Sequence, residues 1–122
     1  MLNYKVLVTD EAINDIIELV RYIAEDLFNP EAAERLLHNL KREVENCGAF
    51  PMKFSDTGIK YRDYVIHKKV FESYLIFYVI NSGSQEVYVL RVMKDLMNWC
   101  QIAYNRKISF LKVKLHFARY IV

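Results

Sequence analysis

The most constraining feature of this 122-residue chain is an unbroken apolar run, Tyr74 to Ile80 (YLIFYVI). β-Branched and aromatic residues favour a pleated strand, and a run without a charge at any position fits a central strand covered on both faces. A second run of the same character, Glu86 to Val92 (EVYVLRV), follows after Asn81-Ser82-Gly83-Ser84-Gln85. A short polar connection containing Gly between two such runs predicts a hairpin. Upstream, Tyr61 to Val70 carries Arg62, His67, Lys68 and Lys69 and reads as the preceding antiparallel strand. The core is therefore expected to be a twisted antiparallel sheet in which a basic strand lies beside an apolar one.

The first half of the chain has the other periodicity. After a short strand, Tyr4 to Thr9, the pair Thr9-Asp10 offers a capping oxygen and Glu11 adds negative charge at a helix start. Ile13, Ile16, Ile17, Val20, Ile23, Ala24 and Leu27 then recur at three- and four-residue spacing, one stripe of an amphipathic helix. Asn29-Pro30-Glu31 ends it and starts another, with Leu36, Leu37, Leu40 and Val44 as its stripe. Gly48 is the expected C-cap, and Pro51 blocks continuation. The short link makes these helices an antiparallel hairpin laid on the sheet. Residues 50–60 read as a loop, and the pattern after Arg91 fits a loop or a turn of helix. In residues 108–122, Leu111, Val113, Leu115 and Phe117 alternate as in a strand, while Leu111, Leu115, Ala118 and Val122 would line a helix; both forms stay open. The expected class is α+β: an N-terminal strand, then a helical hairpin on an antiparallel sheet of about four strands. Residues 1–100 form the domain, and residues 101–122 a basic C-terminal extension.

This length supports one core without cross-links. Two distant cysteines, Cys47 and Cys100, make neither a disulfide framework nor a zinc set, which fits a reduced cytoplasmic setting. No apolar stretch is long enough to span a bilayer, and the N-terminus is unlike a signal peptide. Charge is divided unevenly: residues 1–50 carry −5 and residues 51–122 carry +7, within a net +2. Beyond Asp95 there is no acidic residue, yet Arg106, Lys107, Lys112, Lys114 and Arg119 follow. That asymmetry fits a binder of nucleic acid or of an acidic protein; it equally fits a sheet face that is merely solvated.

Several local patterns resemble the RelE/ParE superfamily of toxins from type II toxin–antitoxin modules. They are Tyr4-Lys5-Val6 with Ala12, Asp15-Ile16 and Tyr22-Ile23-Ala24-Glu25; Pro30-Glu31-Ala32-Ala33 with Leu40, Val44 and Phe50-Pro51; Tyr61-Arg62; Tyr74 to Ile80; and Val87 to Val92 through Trp99. Their order and spacing over roughly residues 2–100 carry the likeness. The resemblance implies a toxin neutralised by a cognate antitoxin protein, with no metal or organic cofactor. It also implies one of two activities: inhibition of translation by mRNA cleavage, usually on the ribosome, or poisoning of DNA gyrase.

Metal-independent RNA cleavage needs a cation on the phosphorane and groups that move protons at the 2′-hydroxyl and the leaving oxygen. Arg62 matches the basic position on the family's second strand and is the first candidate phosphate contact. Arg91, a charge in an otherwise apolar strand, is the second; its competing role is an ion pair with a helix carboxylate. His67 is the candidate proton-transfer group, since an imidazole can both take up and release a proton. Lys68, Lys69, Lys94 and Trp99 are the candidate RNA-binding residues, Trp99 as a surface on which a base stacks. Lysines on a solvated edge strand are the plainer explanation of the basic cluster. RNA-cleaving relatives commonly have Arg where this chain has Leu75, and a second base where it has Tyr64. The segment Met93-Lys94-Asp95-Leu96-Met97 holds one base where gyrase-directed relatives often have a run. The leading expectation is an endoribonuclease toxin; the alternatives are a ParE-like gyrase inhibitor without nuclease activity, and an inactive toxin fold that only binds an antitoxin.

Overall fold

A computed structural model describes residues 3–61, 63–94 and 119–120. Strand β1 (Lys5–Val8) leads into helix α1 (Asp10–Arg21), which widens into a π-helical turn, Tyr22–Asp26. Helix α2 (Pro30–Glu45) follows, and two short 3-10 turns, Asn46–Gly48 and Pro51–Lys53, carry the chain into the sheet. The remaining strands are β2 (Ser55–Tyr61), β3 (Tyr64–Phe71), β4 (Tyr74–Asn81), β5 (Glu86–Lys94) and a two-residue β6 (Arg119–Tyr120). Their order across the sheet is β2-β3-β4-β5-β1-β6.

The α+β class and the helical hairpin are as expected, and the capping residues act as the sequence implies. Thr9 accepts from the Ala12 amide and Asn29 from the Ala32 amide. The helices bury Ala12 and Ile16 from α1 and Ala33, Leu36, Leu40 and Val44 from α2. All of these but Ala33 pack on one sheet face against Tyr74, Ile76, Tyr78, Val87, Val89 and Val92. Three stripe residues stay outside that contact: Ile17, Leu27 and Leu37 are exposed. Leu27 leaves the stripe because the π turn adds a residue to the repeat, so the chain reaches α2 through Phe28, a residue at φ 51° and 87% exposed.

The sheet differs from the expectation in four respects. It is mixed: β1 runs parallel to β5, because α1 and α2 return the chain before the antiparallel meander begins. The segment read as a loop contains β2, whose register breaks between Asp56 and Lys60. Asp56 accepts from the Gly58 amide at 2.7 Å, and Gly58 takes φ 77°, so turn chemistry inside a strand hid the strand. Finally, the run from Tyr61 to Val70 is two strands, since β2 ends at Tyr61 and β3 begins at Tyr64. Strand β5 also continues to Lys94, where a loop or helical turn was expected.

Gly48 does something other than cap a helix. Its carbonyl accepts from the Tyr4 amide at 2.8 Å, and a Cβ at Gly48 would overlap the Tyr4 carbonyl oxygen and lie 2.9 Å from the Val6 side chain. The residue is needed for close backbone approach, not for a left-handed conformation.

Candidate functional site

β3 presents alternate residues to opposite faces, so His67 and Lys69 share one face and Lys68 takes the other. The shared face is the one the helices cover. The Lys69 ammonium is 2.9 Å from the Glu43 carbonyl and 3.4 Å from the Glu43 carboxylate, and the residue is 6% exposed. It also lies 5.2 Å from the centre of the Phe54 ring. The His67 ring stacks on Tyr78 at 5.4 Å, with its Nδ1 3.1 Å from the Phe54 carbonyl oxygen. A carbonyl only accepts, so Nδ1 carries the proton in that contact. Tyr78 in turn donates to the Pro51 carbonyl, and burial raises its pKa above the ordinary tyrosine value.

The Cys47 thiol donates to the same Glu43 carbonyl at 3.5 Å. Burial pushes it up to about 12, although the Lys69 charge pulls the other way. It is therefore a thiol, not a thiolate, at neutral pH.

Arg91 has a different partner. A bulge in β5 sets Phe77 opposite Arg91 and Tyr78 opposite Val89, leaving Leu90 as the extra residue. Beyond Val89, β5 has outrun β1, and its free edge is taken over by side chains from the start of α1. Thr9 donates to the Leu90 carbonyl at 2.9 Å, and Asp15 accepts from the Val92 amide at 3.0 Å. The Asp15 carboxylate then holds the Arg91 guanidinium through both oxygens, at 2.7 and 2.9 Å. These hydrogen bonds, ahead of the opposing effect of burial, raise the Arg91 pKa further. The ion pair with a helix carboxylate, one of the two roles open to Arg91 from sequence, is present.

Lys94 is exposed at the end of β5, with its ammonium 5.0 Å above the Tyr74 ring. Arg62 and Trp99 lie outside the described residues. The described candidates thus fall into separate places: His67 and Lys69 between sheet and α2, Lys68 on the far face, Arg91 on Asp15, and Lys94 at the strand end. Among the described residues, no three His, Cys, Asp or Glu side chains converge as a metal site would require.

Sequence reasoning did not anticipate Asp15 and Glu43 as the partners that fix these cations. The available signal was helical phase, since both are polar positions flanking the apolar stripes and so border the sheet. Nor did it anticipate Tyr88, which donates to Glu86 at 2.7 Å. Burial and that hydrogen bond raise Tyr88 to about 12, and the same bond holds Glu86 below the usual carboxylate range.

A model of the ParE toxin of the type II toxin–antitoxin system parDE matches residues 6–99. The chain belongs to this family. Solved structures agree in fold. The chromosomal ParDE toxin–antitoxin system from P. aeruginosa matches with TM-score 0.61 at 13% identity, over 75% of this chain and 95% of that one. The toxin–antitoxin complex RelBE2 from Mycobacterium tuberculosis matches with TM-score 0.53 at 18% identity, over 77% of this chain and 93% of that one. No curated protein matches significantly in sequence. Among the described residues, no helix is long and apolar enough to cross a membrane. The ParE-type chain therefore combines the family's sandwich with cations whose partners are supplied from within.

Proposed function

We propose that this ParE-type toxin acts by gripping a protein target, DNA gyrase, and does not cut mRNA itself; a cognate antitoxin silences it. The observation that carries this reading is the capture of Arg91 by Asp15. In-line cleavage of RNA requires a cation, a base and an acid converging within hydrogen-bond reach of one phosphate. Arg91 and Lys69 are bound to carboxylates of α1 and α2, and His67 is stacked against Tyr78 on the helix side of β3. To reach a common phosphate, each would have to give up partners that stabilise the fold. A toxin that works by surface contact makes no such demand. Its available anchors are the aromatic and aliphatic side chains of the hairpin tip, Tyr22, Leu27 and Phe28, all more than half exposed.

The test is expression in bacteria with and without the antitoxin, with both RNA and DNA integrity measured. Gyrase–DNA cleavage complexes with intact transcripts support the proposal. Transcripts cut within minutes of induction, with gyrase unaffected, overturn it. Harmless expression without an antitoxin would leave a fold that only binds its partner.

A further inference from the structure

The turn between the two helices breaks two local rules. The first concerns Phe28, which holds φ 51° and is 87% exposed, so it bears the strain of a left-handed backbone without gaining burial. Glycine or asparagine would take that conformation with less strain. Hydrogen bonds pin it on both sides. The Leu27 amide donates to the Tyr22 carbonyl and the Asn29 amide to the Ile23 carbonyl, both at 3.1 Å, and Asn29 caps α2. An aromatic residue is thus presented to solvent on a fixed backbone. Tyr22 and Leu27 are each 54% exposed, and no residue of the π turn is buried.

The second rule concerns charge. The π turn ends the first helix, and the carboxyl end of a helix carries partial negative charge that favours lysine or arginine. Here the turn carries Glu25 and Asp26 and no base. Arg21, 4.0 Å from Glu25, offsets part of that repulsion. Glu31 lies in the first turn of α2, where the helix dipole alone accounts for a carboxylate. Glu25 and Asp26 have no such account. Residues 18–34 together hold five exposed carboxylates, Glu18, Glu25, Asp26, Glu31 and Glu34, against the single base Arg21.

We propose that the hairpin tip docks on a basic patch of its protein target: Tyr22, Leu27 and Phe28 enter an apolar depression, and the carboxylates around them meet lysines or arginines at its rim. Apolar anchors inside a polar rim are the anatomy of a protein interface. Local features that cost stability in the free chain are expected where a complex makes use of them. The sign of the charge selects the partner. A basic surface is attracted to this tip, whereas nucleic acid and acidic proteins are repelled by it. The inference rests on the reading of this chain as a toxin that grips a protein, and it adds the chemistry of the surface gripped.

The experiment measures binding of the purified full chain to DNA gyrase, with growth inhibition on expression as a second readout. Association should slow about tenfold when salt rises from about 50 to about 500 mM. It should slow similarly in the triple variant Glu25→Gln, Asp26→Asn, Glu34→Gln, and both this variant and Phe28→Gly should lose growth inhibition while circular dichroism shows them folded. Asp63→Asn and Glu72→Gln, at exposed carboxylates between β2 and β3 and between β3 and β4, should change neither readout. Association that ignores salt, or a triple variant that binds and inhibits as the native chain does, would overturn the proposal. If the native chain does not bind gyrase, the gyrase reading fails and growth decides: a triple variant that stays toxic overturns the proposal, and a harmless one supports it. A native chain that is itself harmless overturns both. A salt-sensitive dimer abolished by the same three substitutions would also overturn it, because a second copy would then be the occupant.

Discussion

Removing Asp15 should unlock both Arg91 and the end of β5, and the size of the loss can be set in advance. Asp15 accepts two hydrogen bonds from the Arg91 guanidinium and one from the Val92 amide. Hydrogen bonds to a charged group contribute about 1.5–3 kcal/mol each when well shielded. These side chains are 14% and 15% exposed, so solvent screening keeps the sum well below three times that figure. Asp15→Ala should therefore cost about 2–4 kcal/mol, because it also leaves a largely buried guanidinium and a strand amide without this partner. Asp15→Asn can still accept from Val92 but loses the charge, and should cost about 1–2 kcal/mol. Combining Asp15→Ala with Arg91→Met should cost less than the sum of the single changes, with a coupling of about 1–3 kcal/mol. Urea unfolding followed by circular dichroism gives these values, provided the slope with denaturant is unchanged across the set. A loss under about 0.5 kcal/mol for Asp15→Ala, the range of ordinary surface changes, would refute the bracing role of this pair.

The buried Cys47 thiol, raised to about 12, should not react with a disulfide reagent at pH 8 in folded Cys100→Ser protein and should react at once in denaturant. Gly48→Ala should destabilise by about 1–3 kcal/mol, since the new methyl meets backbone that cannot rotate away; an unchanged unfolding midpoint would show that β1 can shift. Phe28→Gly should raise stability by about 1 kcal/mol by relieving a left-handed φ, and should weaken target binding if the hairpin tip is an anchor. Glu86 has a folded pKa below its ordinary 4.5, so its bond with Tyr88 adds stability above that pH and loses it as pH falls through the lowered value. The stability gap between the native chain and Tyr88→Phe should accordingly shrink on acidification below pH 4.5, and a gap independent of pH would contradict the assignment.

Where periodicity and capping agreed, the fold was legible: Thr9 and Asn29 cap the two helices, and the apolar β4 lies third in the row of six strands. What escaped notice was information not local to a segment. The parallel pairing of β1 with β5 joins residues some eighty positions apart, and nothing in either strand encodes its direction. β2 was hidden because Ser55-Asp56-Thr57-Gly58 is turn chemistry, here used to bend a strand. Candidate site residues suffered most. Arg91 was conspicuous as a charge among apolar neighbours and Lys69 as part of a basic cluster, yet what such a charge does depends on whether a carboxylate reaches it. Asp15 and Glu43 do so from other elements of the fold.

The decisive measurement is incubation of the purified full chain with DNA gyrase and plasmid, followed by detergent and protease to reveal trapped breaks. The expected result is linear plasmid that depends on both proteins, and that is retained in a folded Arg91→Met variant because this side chain serves the scaffold. Undamaged plasmid, together with mRNA scission in a parallel reaction that Arg91→Met abolishes, would contradict it.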